Sequence, residues 1–416
     1  MYNQDLWLAG KQSMTFRYKM EKFLYGLELL GHPELVVPVI HVAGTNGKGS
    51  TVAFLRQLFQ DSGYRVGTFT SPHLISVHDR ICINGLPISE EDLDRTAREI
   101  CELEQRVMEV YEPFSYFETM TLVMFLYFSR AQLDVAVIEV GIGGLHDVTN
   151  VVHPLVSVIT SIGLDHQEML GDSIEAIAEQ KAGIIKPNSP VVIGPLSEEI
   201  LSVIEEKAAQ EGVKIHHFGR DFQIDKGCFR NQEVSLSLAG IGLAGRHQAE
   251  NAAVALQSFL LFMARKEWTV DKDAVARAIQ SVSWPGRLEL VHQAPQIYLD
   301  GAHNLPAITR LVDFIASRGL EEVTILFSAL ARKDVDRMLG YLQENLPAAR
   351  LVLTSFDHQG VAVGAGDGYE FVQDYPTFLA EWQATASADA SLFVTGSLYF
   401  ISEVRPLFIS ATDTAT

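Results

Sequence analysis

A lysine set among glycines and hydroxyls, in Gly44-Thr45-Asn46-Gly47-Lys48-Gly49-Ser50-Thr51, is the segment of this sequence best equipped for chemistry. Glycines let backbone approach a ligand closely, successive N–H groups converge on an anion, and a lysine closing such a run reaches the β and γ phosphates of a nucleotide. Ser50 or Thr51 adds a hydroxyl for phosphate or Mg²⁺. The pattern is a shortened phosphate loop: two residues separate Gly44 from Gly47, and Gly49 stands between Lys48 and Ser50. It needs a strand to deliver it and a helix to open inside it, and VVPVIHVAG (36–44) followed by KGSTVAFLRQLFQDSG (48–63) reads as both. A plain Gly-rich turn is the bland alternative, but it leaves the lysine and two hydroxyls without a purpose.

Phosphate binding alone admits kinases, switches, motors and ligases, so three further positions have to narrow the choice. Glu139 closes the apolar run DVAVIEVG (134–141), and an acid at the carboxyl end of a strand in an open α/β sheet is placed to hold Mg²⁺, although an acid capping a turn looks the same in sequence. Asp165 and His166 follow the next run, LVSVITSIG (155–163), which makes His166 a second metal candidate if the strands are neighbours. A lone histidine is more often an ordinary surface or core residue. Lys181, in AEQKAGIIK, lies on a helical segment whose apolar face would bury it and leave a neutral, reactive amine. Unaided, sequence favours the duller reading of a solvated helix lysine.

These positions belong to an α/β pattern. Apolar runs at 36–44, 65–70, 134–141, 155–163 and 190–195 alternate with helical segments at 48–63, 89–111, 115–131 and 172–185, the rhythm of a doubly wound, mostly parallel sheet covered on both faces. Gly-punctuated runs over 214–245 read as a small antiparallel excursion before a long helix at 247–266. Pro285, Gly286 and Pro295 break the rhythm. A first domain over 1–290 is therefore expected, then a smaller α/β domain over 291–416 with strands at 322–328, 350–355 and 391–395; the tail SATDTAT carries no structural signal.

Composition sets the outer limits. Lys and Arg total 32 against 52 Asp and Glu, and a net charge of −20 repels nucleic acid. Cys82, Cys101 and Cys228 form no CxxC pair or disulfide framework, which fits a reducing cytoplasm. The opening MYNQDLWLAGKQ has no secretory layout, and the longest apolar run, Met120 to Phe128, is too short to span a bilayer and reads as a buried helix. No membrane partner is expected.

Taken together, GTNGKGS, TSPHL, EVGIGG, TSIGLDHQEMLG, EQKAGIIKP, GRHQAENAAVAL, WPGRLE and LDGAHN make the chain resemble the folylpolyglutamate synthase and dihydrofolate synthase family of the Mur ligase superfamily. The resemblance implies a P-loop ATPase domain and a smaller Rossmann-like domain, with ATP and substrates bound between them, in a monomer. It implies that Thr45, Asn46, Gly47, Lys48, Gly49 and Ser50 hold ATP, joined by Asn251, Arg287, Asp300 and His303. Ser71 and Glu139 would bind one Mg²⁺ and His166 a second. Lys181 would carry a carbamate, formed from CO₂, that helps to organise the second metal site.

The implied reaction is ATP-dependent: a carboxylate takes the γ-phosphoryl group, and the amine of L-glutamate displaces phosphate from the acyl phosphate. The acceptor would be a folate or dihydropteroate, and Ser115, Tyr116, Phe117, Glu118, His146, Asp147 and Val148 match the region that binds it, with Thr15, Phe16, Arg17 and Tyr18 as further folate-facing candidates. One position departs from the family pattern: Leu145 stands where an arginine is usual, which bears on the balance between adding the first glutamate and extending a chain. Two competing readings are another amino-acid ligase of the superfamily and an ATP-binding switch without ligation. The folate-type LDGAHN argues against the first. The second makes Glu139, His166, Lys181 and Asp300 coincidences.

Overall fold

Val39–Ala43 form β1, the strand that delivers the phosphate loop, and all five residues are buried, as a strand covered on both faces requires. In the computed structural model, which describes residues 7–8, 10–11, 20–330, 334–357 and 368–409, β1 lies inside an eight-stranded sheet. The other strands are β2 (Val66–Phe69), β3 (Ile81–Ile83), β4 (Leu86–Pro87), β5 (Val135–Glu139), β6 (Val156–Ile159), β7 (Val191–Ile193) and β8 (Ile215–His217). Their order is β4-β3-β2-β5-β1-β6-β7-β8. All pairings are parallel except β2–β3 and β3–β4, an antiparallel hairpin at one edge. From β5 the chain crosses to β6 on the far side of β1, so the loops leaving β1, β5 and β6 meet at a switch point where such sheets take ligands.

Two details differ from the sequence expectation. Ile215–His217, inside the stretch read as an antiparallel excursion, instead pair in parallel with β7 and extend the main sheet. Only β9 (Phe222–Asp225), β10 (Cys228–Asn231) and β11 (Ser235–Ser237) form the antiparallel unit. Three residues are too few for periodicity to reveal a strand's partner. The helix expected over 172–185 is present as Ile174–Ala182, started by the Ser173 hydroxyl accepting from Ala176 N–H, and a short helix that was not expected, Gln167–Leu170, precedes it.

The apolar run from Met120 lies in the helix Tyr116–Arg130, buried on nearly every side, and no helix among the described residues is long and apolar enough to cross a membrane. Its N-terminus is a capping box. Ser115 Oγ accepts from Glu118 N–H, and Glu118 accepts in return from Ser115 N–H at 2.6 Å. Lys22 Nζ lies 2.9 Å from the same carboxylate, both side chains being 3% exposed. Removing one partner of such a pair strands a buried charge, so Lys22→Ala is expected to cost about 3–5 kcal/mol of stability in denaturant unfolding. A midpoint equal to that of the unaltered chain would count against burial of the pair in solution.

The chain separates into two compact units, Met1–Gly242 with Ala249–Val282, and Leu243–Gln248 with Ser283–Thr416. The second unit is again α/β. Its strands β12 (Glu289–Gln293), β13 (Gln296–Leu299), β14 (Val323–Phe327), β15 (Arg350–Thr354), β16 (Glu370–Val372) and β17 (Ser391–Thr395) follow the order β12-β13-β17-β14-β15-β16, with β12–β13 alone antiparallel. The helix Leu305–Arg318 packs its apolar face of Ile308, Leu311, Val312 and Ile315 into this unit's core. Thr15, Phe16, Arg17, Tyr18 and the tail from Ser410 lie outside the described residues.

Candidate active site

The phosphate loop is strapped to the residues that follow β6. Thr45 N–H donates to Ser161 O at 2.8 Å, Asn46 N–H to Ser161 Oγ at 3.0 Å, and Thr160 Oγ1 donates to Asn46 O at 2.6 Å. Thr45 Oγ1 exchanges hydrogen bonds with Gly163 O and N, both at 3.0 Å. The backbone donors of Thr45 and Asn46 are thus used in holding the loop. Those of Lys48, Gly49 and Ser50, in the first turn of the helix Lys48–Asp61, have no intrahelical acceptor and are the ones open to an anion. Gly47 takes a left-handed conformation, φ 84°, and a Cβ there would come 2.4 Å from Asn251 Oδ1, so its lack of a side chain lets the loop lie against Asn251.

Lys48 Nζ folds back over the loop, donating to Gly44 O at 3.0 Å and Thr45 O at 3.3 Å, and lies 3.9 Å from Glu139 Oε1. Glu139, the last residue of β5, is 4% exposed, and its other oxygen accepts from Ser71 N–H at 3.4 Å. Three of the residues singled out in sequence therefore converge: the lysine that opens the helix after β1, the acid from β5 and the serine after β2. Asp165 and His166 come from the loop after β6; His166 is itself left-handed, φ 53°, and donates its N–H to Asp165 Oδ1 at 3.0 Å. Its side chain remains partly exposed.

Lys181 is 3% exposed, so the solvated-lysine reading is set aside. Burial first, and the charge of Lys48 second, push its pKa down to about 7, with Asp165 opposing. The turn after β5 sits on its backbone. Leu145 N–H donates to Gln180 O at 2.6 Å, and a Cβ on Gly144 would lie 3.2 Å from Lys181 Cα. This seat uses backbone atoms only, and the Leu145 side chain is 42% exposed, so replacing the usual arginine leaves the seat intact.

The residues expected to touch a folate divide into two groups. Asp147 is buried and accepts from Thr149 N–H at 2.9 Å, from Thr149 Oγ1 at 2.5 Å and from Ile142 N–H at 3.1 Å, so it clamps the turn; burial pushes its pKa up. Val148 lies in the core, and Ser115 and Glu118 form the helix cap described above. Tyr116 and Phe117 are only partly buried, and His146 is exposed. In the second unit Asp300 accepts from Leu288 N–H at 2.9 Å and Ala302 N–H at 3.1 Å; burial pushes its pKa up while the Arg287 charge opposes. His303 Nδ1 lies 2.7 Å from Gly301 O.

Sequence reasoning passed over two buried residues of the first unit. His41, in the middle of β1, is held by Thr149 Oγ1 at 2.8 Å, and burial lowers its pKa to about 3. Arg80, beside β2, stacks on Tyr116 and donates to His73. Neither falls in a spacing that signals function.

A Mg²⁺ site fits this donor set. Among the described residues no three His, Cys, Asp or Glu side chains cluster to hold a metal by themselves. Mg²⁺ does not need that, since it keeps several waters and takes one or two carboxylates plus phosphate oxygens. Glu139, buried beside Lys48 and Ser71 at the mouth of the phosphate loop, offers such a carboxylate.

Residues 42–259 match the Mur ligase middle domain. Over 416 residues the chain is 34% identical to a Bacillus subtilis (strain 168) protein named dihydrofolate synthase/folylpolyglutamate synthase, with 96% of this chain and 97% of that one covered. A solved structure described as an FPGS–AMPPCP–folate complex is similar at a TM-score of 0.88 and 32% identity, over 97% of this chain and 98% of that one. Mycobacterium tuberculosis folylpolyglutamate synthase complexed with ADP is similar at a TM-score of 0.88 and 30% identity, over 97% of both chains.

Proposed function

The chain belongs to the dihydrofolate synthase/folylpolyglutamate synthase family, and from that premise we propose that it is an ATP-dependent carboxylate–amine ligase adding L-glutamate to folates and to dihydropteroate. The observation that carries this reading is the meeting of Lys48, Glu139 and Ser71 at one sheet edge, in a chain that spans 97% of a relative named for both activities.

In this reading the acceptor carboxylate attacks the γ-phosphorus of ATP. The bond to the bridging oxygen breaks, ADP departs, and an acyl phosphate remains. The neutral amine of L-glutamate then attacks the acyl carbon, a C–N bond forms, phosphate leaves with the C–O electron pair, and the amine's surplus proton is lost. Lys48 and the N–H groups of Lys48, Gly49 and Ser50 hold the phosphates and offset charge as it shifts toward the leaving oxygen. Two Mg²⁺ ions supply the remaining charge neutralisation when bound, with Ser71 and Glu139 as ligands of one and His166 and carbamylated Lys181 as ligands of the other. Asn251 backs the loop at Gly47. In the second unit Arg287, Asp300 and His303 are the proposed nucleotide contacts. Tyr116, Phe117 and His146 face the folate in this reading, whereas Asp147, Val148, Ser115 and Glu118 support the turn and helix that present them. The enzyme acts as a monomer.

Phosphate release from ATP and Mg²⁺, measured with and without L-glutamate, tests the proposal. Glutamate-dependent release is expected with reduced folate and with dihydropteroate, each supplied alone. No such release with either acceptor would overturn the folate assignment. Release with reduced folate alone would confine the protein to chain extension.

A further inference from the structure

A buried cation is stable only where hydrogen bonds and opposite charge offset its lost hydration. Arg80, which ends the 3-10 turn Val77–Arg80 leading into β3, is 7% exposed. Its Nε donates to His73 Nδ1 at 3.0 Å, and its guanidinium carbon stands 5.3 Å from the centre of the Tyr116 ring. An imidazole can accept through Nδ1 but never carries negative charge, so His73 supplies no counter-charge.

The adjacent acid does not supply one either. Asp79 Oδ2 accepts from Ile75 N–H at 2.9 Å and Ser76 N–H at 2.8 Å, closing the turn. Among the described residues no carboxylate pairs with Arg80, and its Nη1 and Nη2 are not among the side-chain atoms sealed from solvent without a partner. Those nitrogens carry four N–H donors in a planar fork, the arrangement that takes a carboxylate through two parallel hydrogen bonds.

The location identifies which carboxylate. Arg80 O accepts from Thr70 N–H at 2.9 Å, and the next residue, Ser71, donates to Glu139, so Arg80 sits at the same end of the sheet as Glu139, with β2 between them. Tyr116, which the guanidinium overlies, and the next residue of its helix, Phe117, are both only partly buried and add aromatic surface that suits a flat acceptor. A folate presents two carboxylates on its terminal glutamyl group. The γ-carboxylate reacts, and the α-carboxylate stays charged and has to be accommodated close by. Dihydropteroate has a single carboxylate, the reacting one.

We propose that Arg80, stacked on Tyr116 and braced by His73, binds the non-reacting α-carboxylate of a folate's terminal glutamyl group and so favours chain extension over addition to dihydropteroate. The proposal rests on the ligase reading above. If the unaltered protein releases phosphate with neither acceptor, that reading fails first.

With the unaltered protein active, a folate whose α-carboxylate is replaced by a carboxamide is expected to show a KM about 30-fold higher than the parent folate, as loss of a charge-assisted contact implies. Arg80→Gln is expected to raise KM for the parent folate by a similar factor, to add little for the carboxamide, and to leave KM for dihydropteroate within about threefold. Arg80→Lys, which keeps the buried charge, replaces it if the glutamine variant does not fold, with the same split expected in weaker form. Equal KM for folate and carboxamide in the unaltered protein would overturn the proposal. So would an equal rise for both acceptors, or a rise in KM for L-glutamate, which would assign the fork to the incoming amino acid.

Discussion

Lys48→Ala is expected to lower glutamate-dependent phosphate release by about 10³-fold or more, with unchanged thermal unfolding. The size follows from what Nζ does. It is the one cation of the loop, and its resting contacts are two carbonyl oxygens, of Gly44 and Thr45, and a carboxylate at 3.9 Å. Those contacts are weak enough to exchange for phosphate oxygens and strong enough to hold the side chain over the loop beforehand, so little ordering is left to accomplish when ATP binds. Stability is spared because the lysine is partly exposed and fills no core space. ATP titration of the variant separates the outcomes: chemistry lost with measurable nucleotide binding is expected, and near-normal turnover would show that this loop is not where phosphoryl transfer occurs.

The second large effect concerns Lys181. A carbamate forms only from the neutral amine, and a pKa lowered to about 7 makes that form abundant at neutral pH. As pH falls through this value, the neutral fraction drops about tenfold per unit, and bound CO₂ should be lost with it. The sign for stability is the reverse of a salt-bridged lysine. The unfolded chain keeps its proton up to the ordinary value of 10.5, so between about 7 and that value the unfolded state binds more protons and stability rises with pH. With ¹³C-labelled bicarbonate, a carbamate resonance is expected at about pH 8, fading toward about pH 6 and absent from Lys181→Ala. That variant should lose about 100-fold or more in turnover, with partial recovery when a short carboxylic acid is added in place of the missing carboxylate. Absence of the resonance in CO₂-replete buffer at the higher pH would refute the assignment.

Local chemistry made much of this site legible. The loop is a run of consecutive residues, and a strand before it with a helix after it follow from apolar periodicity alone. Glu139 and His166 could be named because they end successive apolar runs, and ends of parallel strands collect on one edge. Lys181 is different: its neighbours in sequence are those of a surface helix, and family resemblance alone singled it out. It is buried in the fold, and the turn at Gly144 and Leu145, more than thirty residues earlier, lies against its backbone.

Arg80 was missed for the same reason in stronger form. Its ring partner Tyr116 and its imidazole partner His73 lie on opposite sides of it in the chain, and nothing in DRICING marks a cation as buried and uncompensated. Asp147 shows the converse. Placed in a binding region by resemblance, it spends its carboxylate on backbone and hydroxyl donors of its own turn.

The sequence by itself pointed to a phosphate-binding loop, to a parallel doubly wound sheet, and to an acid and a histidine at the ends of its strands, because each of these depends on residue type and on spacing within one element. Tertiary structure alone decided which polar groups are already engaged and which are left for a substrate. That depends on burial and hydrogen-bond partners contributed by strands and turns distant in the chain, and no local pattern encodes them.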